Sequence, residues 1–148
     1  MRIDFYHLTR SGADAVLPQL AAKLLADGER LAVVANDPAT LEALDTALWT
    51  HKAESFLPHA VAGAEGNDDM AEPILLDTTC AAPNAARNIA LADGRWREEA
   101  FMFERVFYLF DASSIEAART AWKSLATRDD AERHYWKQDE AGRWREGP

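Results

Sequence analysis

Few folds accommodate the apolar run Leu31-Ala32-Val33-Val34-Ala35, which stops abruptly at Asn36-Asp37-Pro38. Five consecutive apolar residues leave no polar face, which is typical of a strand buried on both sides of a parallel sheet. Asp37 is placed to cap a following helix, and Pro38 suits the first turn of that helix. The sequence therefore predicts a buried strand over 30–35 that leads into a helix, with Leu41, Leu44 and Leu48 as its buried stripe.

The segment before this strand predicts a strand and a helix. Residues 2–8 alternate in polarity like a first strand. A helix follows in which leucines recur at helical spacing; Pro18 is expected near its start and Gly28 at its stop. The leucines concerned are Leu17, Leu20, Leu24 and Leu25.

The second half of the chain predicts more strands and one long helix. Residues 60–73 are acidic and interrupted by glycine, which indicates a loop. The spacing Ser113-x-x-Glu116 predicts a capping box before a last helix that ends near Leu125. The predicted strands are 73–77, 88–91, 104–111 and a short one at 134–137.

Strands that alternate with amphipathic helices predict an α/β domain with a mostly parallel central sheet flanked by helices. We place this single domain, similar to mononucleotide-binding (Rossmann-like) folds, at residues 1–138. Residues 139–148 are expected to be a charged, loose tail. The first strand is followed by Thr9-Arg10-Ser11-Gly12, which has neither G-x-G-x-x-G nor a P-loop lysine, so no nucleotide motif is present.

The formal net charge of −9 argues against a general nucleic-acid binder, which needs a basic face. The charge is unevenly distributed: residues 1–84 carry a net −8 and residues 85–148 a net −1. A site for an acidic partner is therefore expected in the C-terminal half, as a local cluster of cations.

Catalytic and metal-binding patterns are lacking in the sequence. Its histidines stand at positions 7, 51, 59 and 134, and none has a metal-ligand spacing to another ligand. Cys80 is the only cysteine and has no recognisable activating base nearby in the sequence. The N-terminus lacks the apolar stretch of a secretion signal, and no run is long enough to span a bilayer. We predict a cytoplasmic protein without catalytic residues, metal, cofactor or membrane contact.

Two groups of aromatic residues are candidate interfaces, because tryptophan is enriched at protein–protein contacts. The first, the Trp49 surface, consists of Trp49, Phe56 and Pro58, in an irregular segment after the second helix. From the residues alone, the two rings either form an interface or pack beneath the loop.

The second group, the Trp122 site, lies on the last helix. Arg119 and Lys123 flank Trp122 and form a basic edge beside an aromatic ring. Such a surface suits a short acidic peptide that ends in an apolar residue: the cations bind the carboxylates and the ring contacts the apolar side chain. A purely structural role for Trp122 in the core is the alternative.

Several of these segments together resemble the DNA polymerase III chi subunit family. The central signature is Leu44-Asp45-Thr46-Ala47-Leu48-Trp49 followed by Glu54-Ser55-Phe56-Leu57-Pro58-His59. Phe5-Tyr6-His7-Leu8, the glycine and strand before Asn36-Asp37, and Ala118-Arg119-x-x-Trp122-Lys123 are similar as well. The similarity runs through most of residues 1–136.

The resemblance implies an adaptor without nucleotide or catalysis. It implies that the Trp49 surface faces the psi subunit, which tethers chi to the clamp loader. It also implies that the Trp122 site binds the acidic, phenylalanine-ended tail of single-stranded DNA-binding protein, which would associate the chain indirectly with single-stranded DNA. Leu109 or Phe110, on the preceding strand, would complete the pocket. Ile115 and Glu116 stand near a place where family members can carry another lysine.

Two other functions are open to a chain of this kind. The first is a nucleotide-binding or enzymatic α/β domain of the doubly wound type. The second is a direct single-strand binder that stacks bases on Trp96, Trp122 and Trp136.

Overall fold

The computed structural model describes residues 1–51 and 57–147. Within them the chain forms eight strands and three α-helices. The helices are Ala13–Ala26 (α1), Pro38–Thr50 (α2) and Ile115–Leu125 (α3). The strands are Arg2–His7 (β1), Leu31–Val34 (β2), His59–Val61 (β3), Ile74–Asp77 (β4), Asn88–Leu91 (β5), Arg105–Phe110 (β6), Glu132–Gln138 (β7) and Trp144–Glu146 (β8).

All eight strands belong to one sheet, in the order β3-β4-β2-β5-β6-β1-β7-β8. The first seven in this order pair in parallel, and only β8 is antiparallel, paired with β7 in a C-terminal hairpin. The α/β class and the mostly parallel sheet flanked by helices are confirmed.

The central strands are apolar because both of their faces are covered. Every residue of β2 and β5 is buried, as expected of parallel strands between two helical layers. Helices α1 and α2 pack on one face and α3 on the other, so the sheet separates two hydrophobic clusters. Adjacent strand residues alternate between these clusters: Leu109 belongs to the α1–α2 side and Phe110 to the α3 side.

The predicted start of α2 is confirmed, whereas that of α3 is corrected. Asp37 caps α2, since its side chain accepts a hydrogen bond of 3.0 Å from the Ala39 amide. The predicted capping box at Ser113 is wrong. Asp111 and Ser114 form the box instead, around a short 3-10 turn that precedes α3. Residues 112–114 form this turn before α3 begins at Ile115. The capping residues are therefore Asp111 and Ser114, at the ends of the turn, and not Ser113 and Glu116.

Three other predicted boundaries need correction. The predicted loop at 60–73 contains most of β3, a three-residue edge strand held by pairing with β4. Residues 139–148 are not all loose, because β8 pairs with β7 and Trp144 packs edge-on against Tyr6 at 5.1 Å. Pro18 lies inside α1, which begins upstream at Ala13.

A buried carboxylate ties β1 to its neighbours. Asp4 is fully buried, and its oxygens accept hydrogen bonds from Arg2, Arg105 and the indole of Trp136 at 3.0–3.2 Å. The two guanidinium groups are about one-third exposed, so each keeps part of its hydration while it neutralises the buried charge. This network links three adjacent strands, β6, β1 and β7.

Among residues 1–51 and 57–147, no helix has both the length and the apolar character needed to cross a bilayer.

Candidate functional site

An apolar cavity of about 490 Å³ lies between α3 and the sheet. Aromatic and aliphatic side chains from α3, β1, β6 and β7 line it, and two cations of α3, Arg119 and Lys123, complete the lining. The apolar lining consists of Phe5, Phe110, Ile115, Ala118, Trp122 and Tyr135. The predicted Trp122 site is thus a cavity that brings together four of its five predicted residues: Arg119, Trp122, Lys123 and Phe110.

Trp122 is only partly buried, so its ring is not sealed inside the core. It meets Phe5 edge-on with ring centroids 5.1 Å apart, and Tyr135 edge-on at 6.3 Å. Edge-to-face contacts of this kind hold an aromatic ring in a defined orientation. One part of the indole is therefore packed, while another part lines the cavity.

Arg133 of β7 holds the Trp122 indole from the sheet, a contact that sequence patterns do not predict. Its guanidinium lies 4.2 Å from the Trp122 ring centroid and donates a hydrogen bond of 2.7 Å to the Trp122 carbonyl. A cation–π contact combined with a charge-assisted hydrogen bond restrains the end of α3 relative to the sheet. Arg133 is thus a positioning residue for Trp122.

The two cations of α3 differ in their partners. Arg119 is 62% exposed and its Nη1 lies 2.8 Å from Glu116 Oε1, one helical turn away. Lys123 is exposed and has no ion-pair partner within the described part of the chain. An incoming carboxylate finds Lys123 available, but it has to compete with Glu116 for Arg119.

His7, at the end of β1, packs beside this cavity. Its ring stacks on Phe110 with centroids 4.8 Å apart, and its Nδ1 shares a hydrogen bond of 2.7 Å with the Tyr135 hydroxyl. Burial, followed by the nearby charges of Lys137 and Arg119, lowers the pKa of His7. A neutral imidazole is therefore favoured beneath the cations.

The alternation of β6 resolves the choice between its last two residues. Phe110 lines the cavity, while Leu109 faces the other side of the sheet and packs in the α1–α2 cluster. Of the residues predicted for the Trp122 site, Leu109 is the one that lies away from it. Phe5, Tyr135 and Arg133 were missed, because their proximity to α3 depends on the strand order β6-β1-β7.

The described residues of the Trp49 surface, Trp49 and Pro58, lie near the β3 edge of the sheet, away from the strands that line the cavity. Trp49, on the last turn of α2, is 55% exposed, and its ring lies 4.6 Å from that of His59 in β3. Pro58 is partly buried, and Phe56 lies outside the described residues. Buried His59 contacts the Leu57 carbonyl through Nδ1 at 2.6 Å and Asp45 Oδ1 through Nε2 at 3.0 Å. These contacts join the segment around Pro58 to α2.

A second cavity, of about 360 Å³, lies at the carboxyl ends of β1 and β6. Here the connections from these strands diverge to opposite faces of the sheet, which is where doubly wound folds bind ligands. The loop amides of Arg10 and Ser11 both donate to the Gln138 side chain, at 3.2 Å each. The Gln138 side chain of β7 thus accepts hydrogen bonds from two backbone N–H groups that could otherwise donate to a phosphate.

The three tryptophans of a possible base-stacking surface do not lie together. Trp136 stacks on Tyr6, with ring planes 12° apart, in the α1–α2 cluster. Trp122 and Trp96 pack in the α3 cluster, where Trp96 contacts Phe101. Stacking of successive bases needs rings along one groove, and the sheet separates Trp136 from the other two.

Within residues 1–51 and 57–147, no group of three or more histidine, cysteine, aspartate or glutamate side chains is arranged to hold a metal ion.

Known proteins with similar sequences point to one family. Residues 1–131 match the family described as DNA polymerase III chi subunit, HolC. The protein named DNA polymerase III subunit chi from Escherichia coli (strain K12) is 36% identical over 53 residues. That stretch is 36% of this chain and 36% of the relative, so the chain spans about a third of the curated relative it matches. With most of its length matched, the chain belongs to the DNA polymerase III chi subunit family, a family of DNA replication.

Proposed function

We propose that this chain is a cytoplasmic, non-catalytic adaptor of the DNA polymerase III clamp loader. In this proposal it binds the psi subunit through the Trp49 surface. Through the Trp122 site it binds the acidic, phenylalanine-ended tail of single-stranded DNA-binding protein. Contact with single-stranded DNA is then indirect, through the protein that coats it.

The observation that carries the proposal is an apolar cavity bordered by cations on a chain of net charge −9. The terminal aromatic ring of a peptide fits among the aromatic side chains of the cavity, where burial and edge-to-face contacts favour it. Arg119 and Lys123 then pair with the terminal carboxylate or with acidic residues before it. Arginine can bind a carboxylate through two parallel hydrogen bonds, which favours Arg119 for the chain terminus.

The placement of the two surfaces supports binding of both partners at once. The Trp49 surface lies on the α2 side near the β3 edge, whereas the Trp122 site lies on the α3 side over β1 and β7. Five strand-to-strand steps separate β3 from β1, which is roughly 24 Å. A clamp loader held on one side is thereby kept near its template on the other, since tethering raises effective concentration.

We test the tail interaction from the peptide side. An acidic peptide of about ten residues ending in phenylalanine is titrated calorimetrically into the protein. Its two controls are the same peptide with an amidated terminus and one with alanine in place of the terminal phenylalanine. We expect both controls to bind more weakly, because one loses the carboxylate and the other the buried ring. Equal affinities for the three peptides would contradict the proposal for this site.

The psi interaction is tested with substitutions at the Trp49 surface. Trp49→Ala and Phe56→Ala are each expected to abolish co-purification with psi while the affinity for the tail peptide is retained. Loss of both activities would indicate unfolding. Retention of psi binding by both variants would contradict the assignment of this surface.

The alternative function is a nucleotide-binding or enzymatic domain of the mononucleotide-binding fold class. The divergence of the β1 and β6 connections favours this assignment of the fold. The two loop amides engaged by Gln138 argue against the function. Thermal unfolding with and without ATP or NAD distinguishes the two, because a ligand specific for the folded state raises the melting temperature.

A further inference from the structure

We infer that Lys137 of β7 extends the Trp122 site onto the C-terminal hairpin and binds an acidic residue upstream of the apolar end of the peptide. This inference rests on the proposed function of that site and adds a specificity-determining residue to it.

The sheet register places Lys137 on the same face as the cavity. Lys137 pairs with His7 across the β1–β7 ladder, and paired residues of neighbouring strands project to the same side. Tyr135, two residues earlier on β7, lines the cavity. Since a strand advances about 3.3 Å per residue, Lys137 starts roughly 6.6 Å beyond Tyr135 on that face.

The surroundings of His7 indicate that Lys137 and Arg119 approach one point from two elements. The His7 ring stacks on Phe110, which lines the cavity. After burial, the two charges that contribute most to lowering the pKa of His7 are those of Lys137 and Arg119. One cation comes from the sheet and the other from α3, so they bracket this side of the cavity.

Lys137 is available to an incoming carboxylate. It is exposed, and no ion pair engages its ammonium group within residues 1–51 and 57–147. Its cross-strand neighbour on β8, Arg145, is already paired with Asp139 at 3.2 Å. Of the two cations contributed by the hairpin at this position, Lys137 is therefore the one that can form a new ion pair.

The separation along β7 defines which part of a peptide reaches Lys137. An extended chain advances about 3.3–3.6 Å per residue. With the terminal ring among the aromatic side chains, a carboxylate about two to four residues upstream comes within reach of the lysine. Peptides with acidic residues in that interval are therefore the preferred ligands, and Lys137 has no partner in peptides that lack them.

The test is a double-mutant cycle between protein and peptide, measured by calorimetry. One peptide of about ten residues ends in phenylalanine and carries aspartate two to four residues before its end; the other has asparagine at those places. We expect Lys137→Ala to weaken binding of the aspartate peptide about two- to fivefold, as for an exposed ion pair. Binding of the asparagine peptide should not change. Lys137→Arg should restore most of the lost affinity.

Lys23→Ala is the matched control, because Lys23 is exposed near the end of α1 on the opposite face of the sheet. It should affect both peptides equally or not at all. If Lys137→Ala weakens both peptides equally, or neither, the inference about Lys137 is wrong while the proposed function stands. These outcomes presuppose that the unmodified protein binds the aspartate peptide; if it binds neither peptide, the proposed function fails as well.

Discussion

Substitution of Arg119 by alanine separates binding from stability at the Trp122 site. The side chains of Arg119 and Glu116 are 62% and 82% exposed, and their ion pair joins residues of the same helix. Such a pair contributes about 0.3–0.5 kcal/mol to stability. The variant should therefore melt within a few degrees of the unmodified protein.

The effect of the same substitution on peptide binding is larger. A charge-assisted hydrogen bond to a carboxylate contributes about 1.5–3 kcal/mol. Release of Arg119 from Glu116 subtracts about 0.3–0.5 kcal/mol from this gain. The net loss of about 1–2.5 kcal/mol corresponds to roughly 5- to 70-fold weaker binding of the acidic peptide.

Glu116→Gln gives a prediction of the opposite sign. It removes the internal competitor for Arg119 and lets the guanidinium meet the peptide carboxylate without breaking an ion pair. Binding should tighten about twofold, because breaking the Arg119–Glu116 ion pair, which costs about 0.3–0.5 kcal/mol, is no longer needed. Both effects should shrink with added salt, since the charges are exposed and the screening length is about 10 Å at 0.1 M.

The assay is calorimetric titration of the acidic peptide at low and high salt, with circular dichroism to follow melting. Arg87→Ala is the matched control. Arg87 is 70% exposed, pairs weakly with Glu104 at 3.8 Å, and lies before β5, at the amino ends of the strands. Unchanged affinity for Arg119→Ala, or weaker binding for Glu116→Gln, would refute the reasoning.

Three further predictions concern the fold. Asp4→Ala should lower the free energy of unfolding, measured in urea, by about 3 kcal/mol, because it leaves two guanidinium groups and an indole N–H without their buried acceptor. The control is Glu42→Ala on the exposed face of α2, which should change this free energy little. Asp37→Ala should cost about 1 kcal/mol in the same measurement through loss of the α2 cap, and Asp37→Ser should restore most of it. Burial lowers the pKa of His7 in the folded state, so below about pH 6.5 the unfolded chain binds more protons than the folded chain. The free energy of unfolding should therefore fall as the pH drops below this value. His7→Gln should flatten that part of the curve of unfolding free energy against pH.

The long buried elements could be predicted from sequence because their local pattern and their tertiary environment agree. Residues 31–34 are apolar throughout and are covered on both faces, and Asp37 caps the helix that follows. β3 carries no comparable signal, since three residues show little periodicity and its pairing with β4 defines it. β8 likewise exists through its pairing with β7, although its residues are mostly charged or polar.

The same reasoning explains how much of the Trp122 site could be foreseen. Arg119, Trp122 and Lys123 lie on one helix, where spacing alone brings them together. Tyr135 lines the same cavity and Arg133 contacts Trp122, both from β7, which pairs in parallel with β1. Sequence patterns identify strands and their faces but not the order of parallel strands in a sheet, so this half of the cavity could not be predicted.

The separation of the two surfaces across the sheet, one at the β3 edge and the other over β6, β1 and β7, has a mechanical consequence. If both proposed partners bind as we propose, a pull between a moving polymerase assembly and the protein-coated strand crosses the strands at right angles. It acts along the direction of the hydrogen bonds that join neighbouring strands, from β3 towards β7. Peeling of one strand from the next opposes such a force less than sliding of strands past each other does. The weakest link under tension would then be the three-residue strand β3, next to the Trp49 surface.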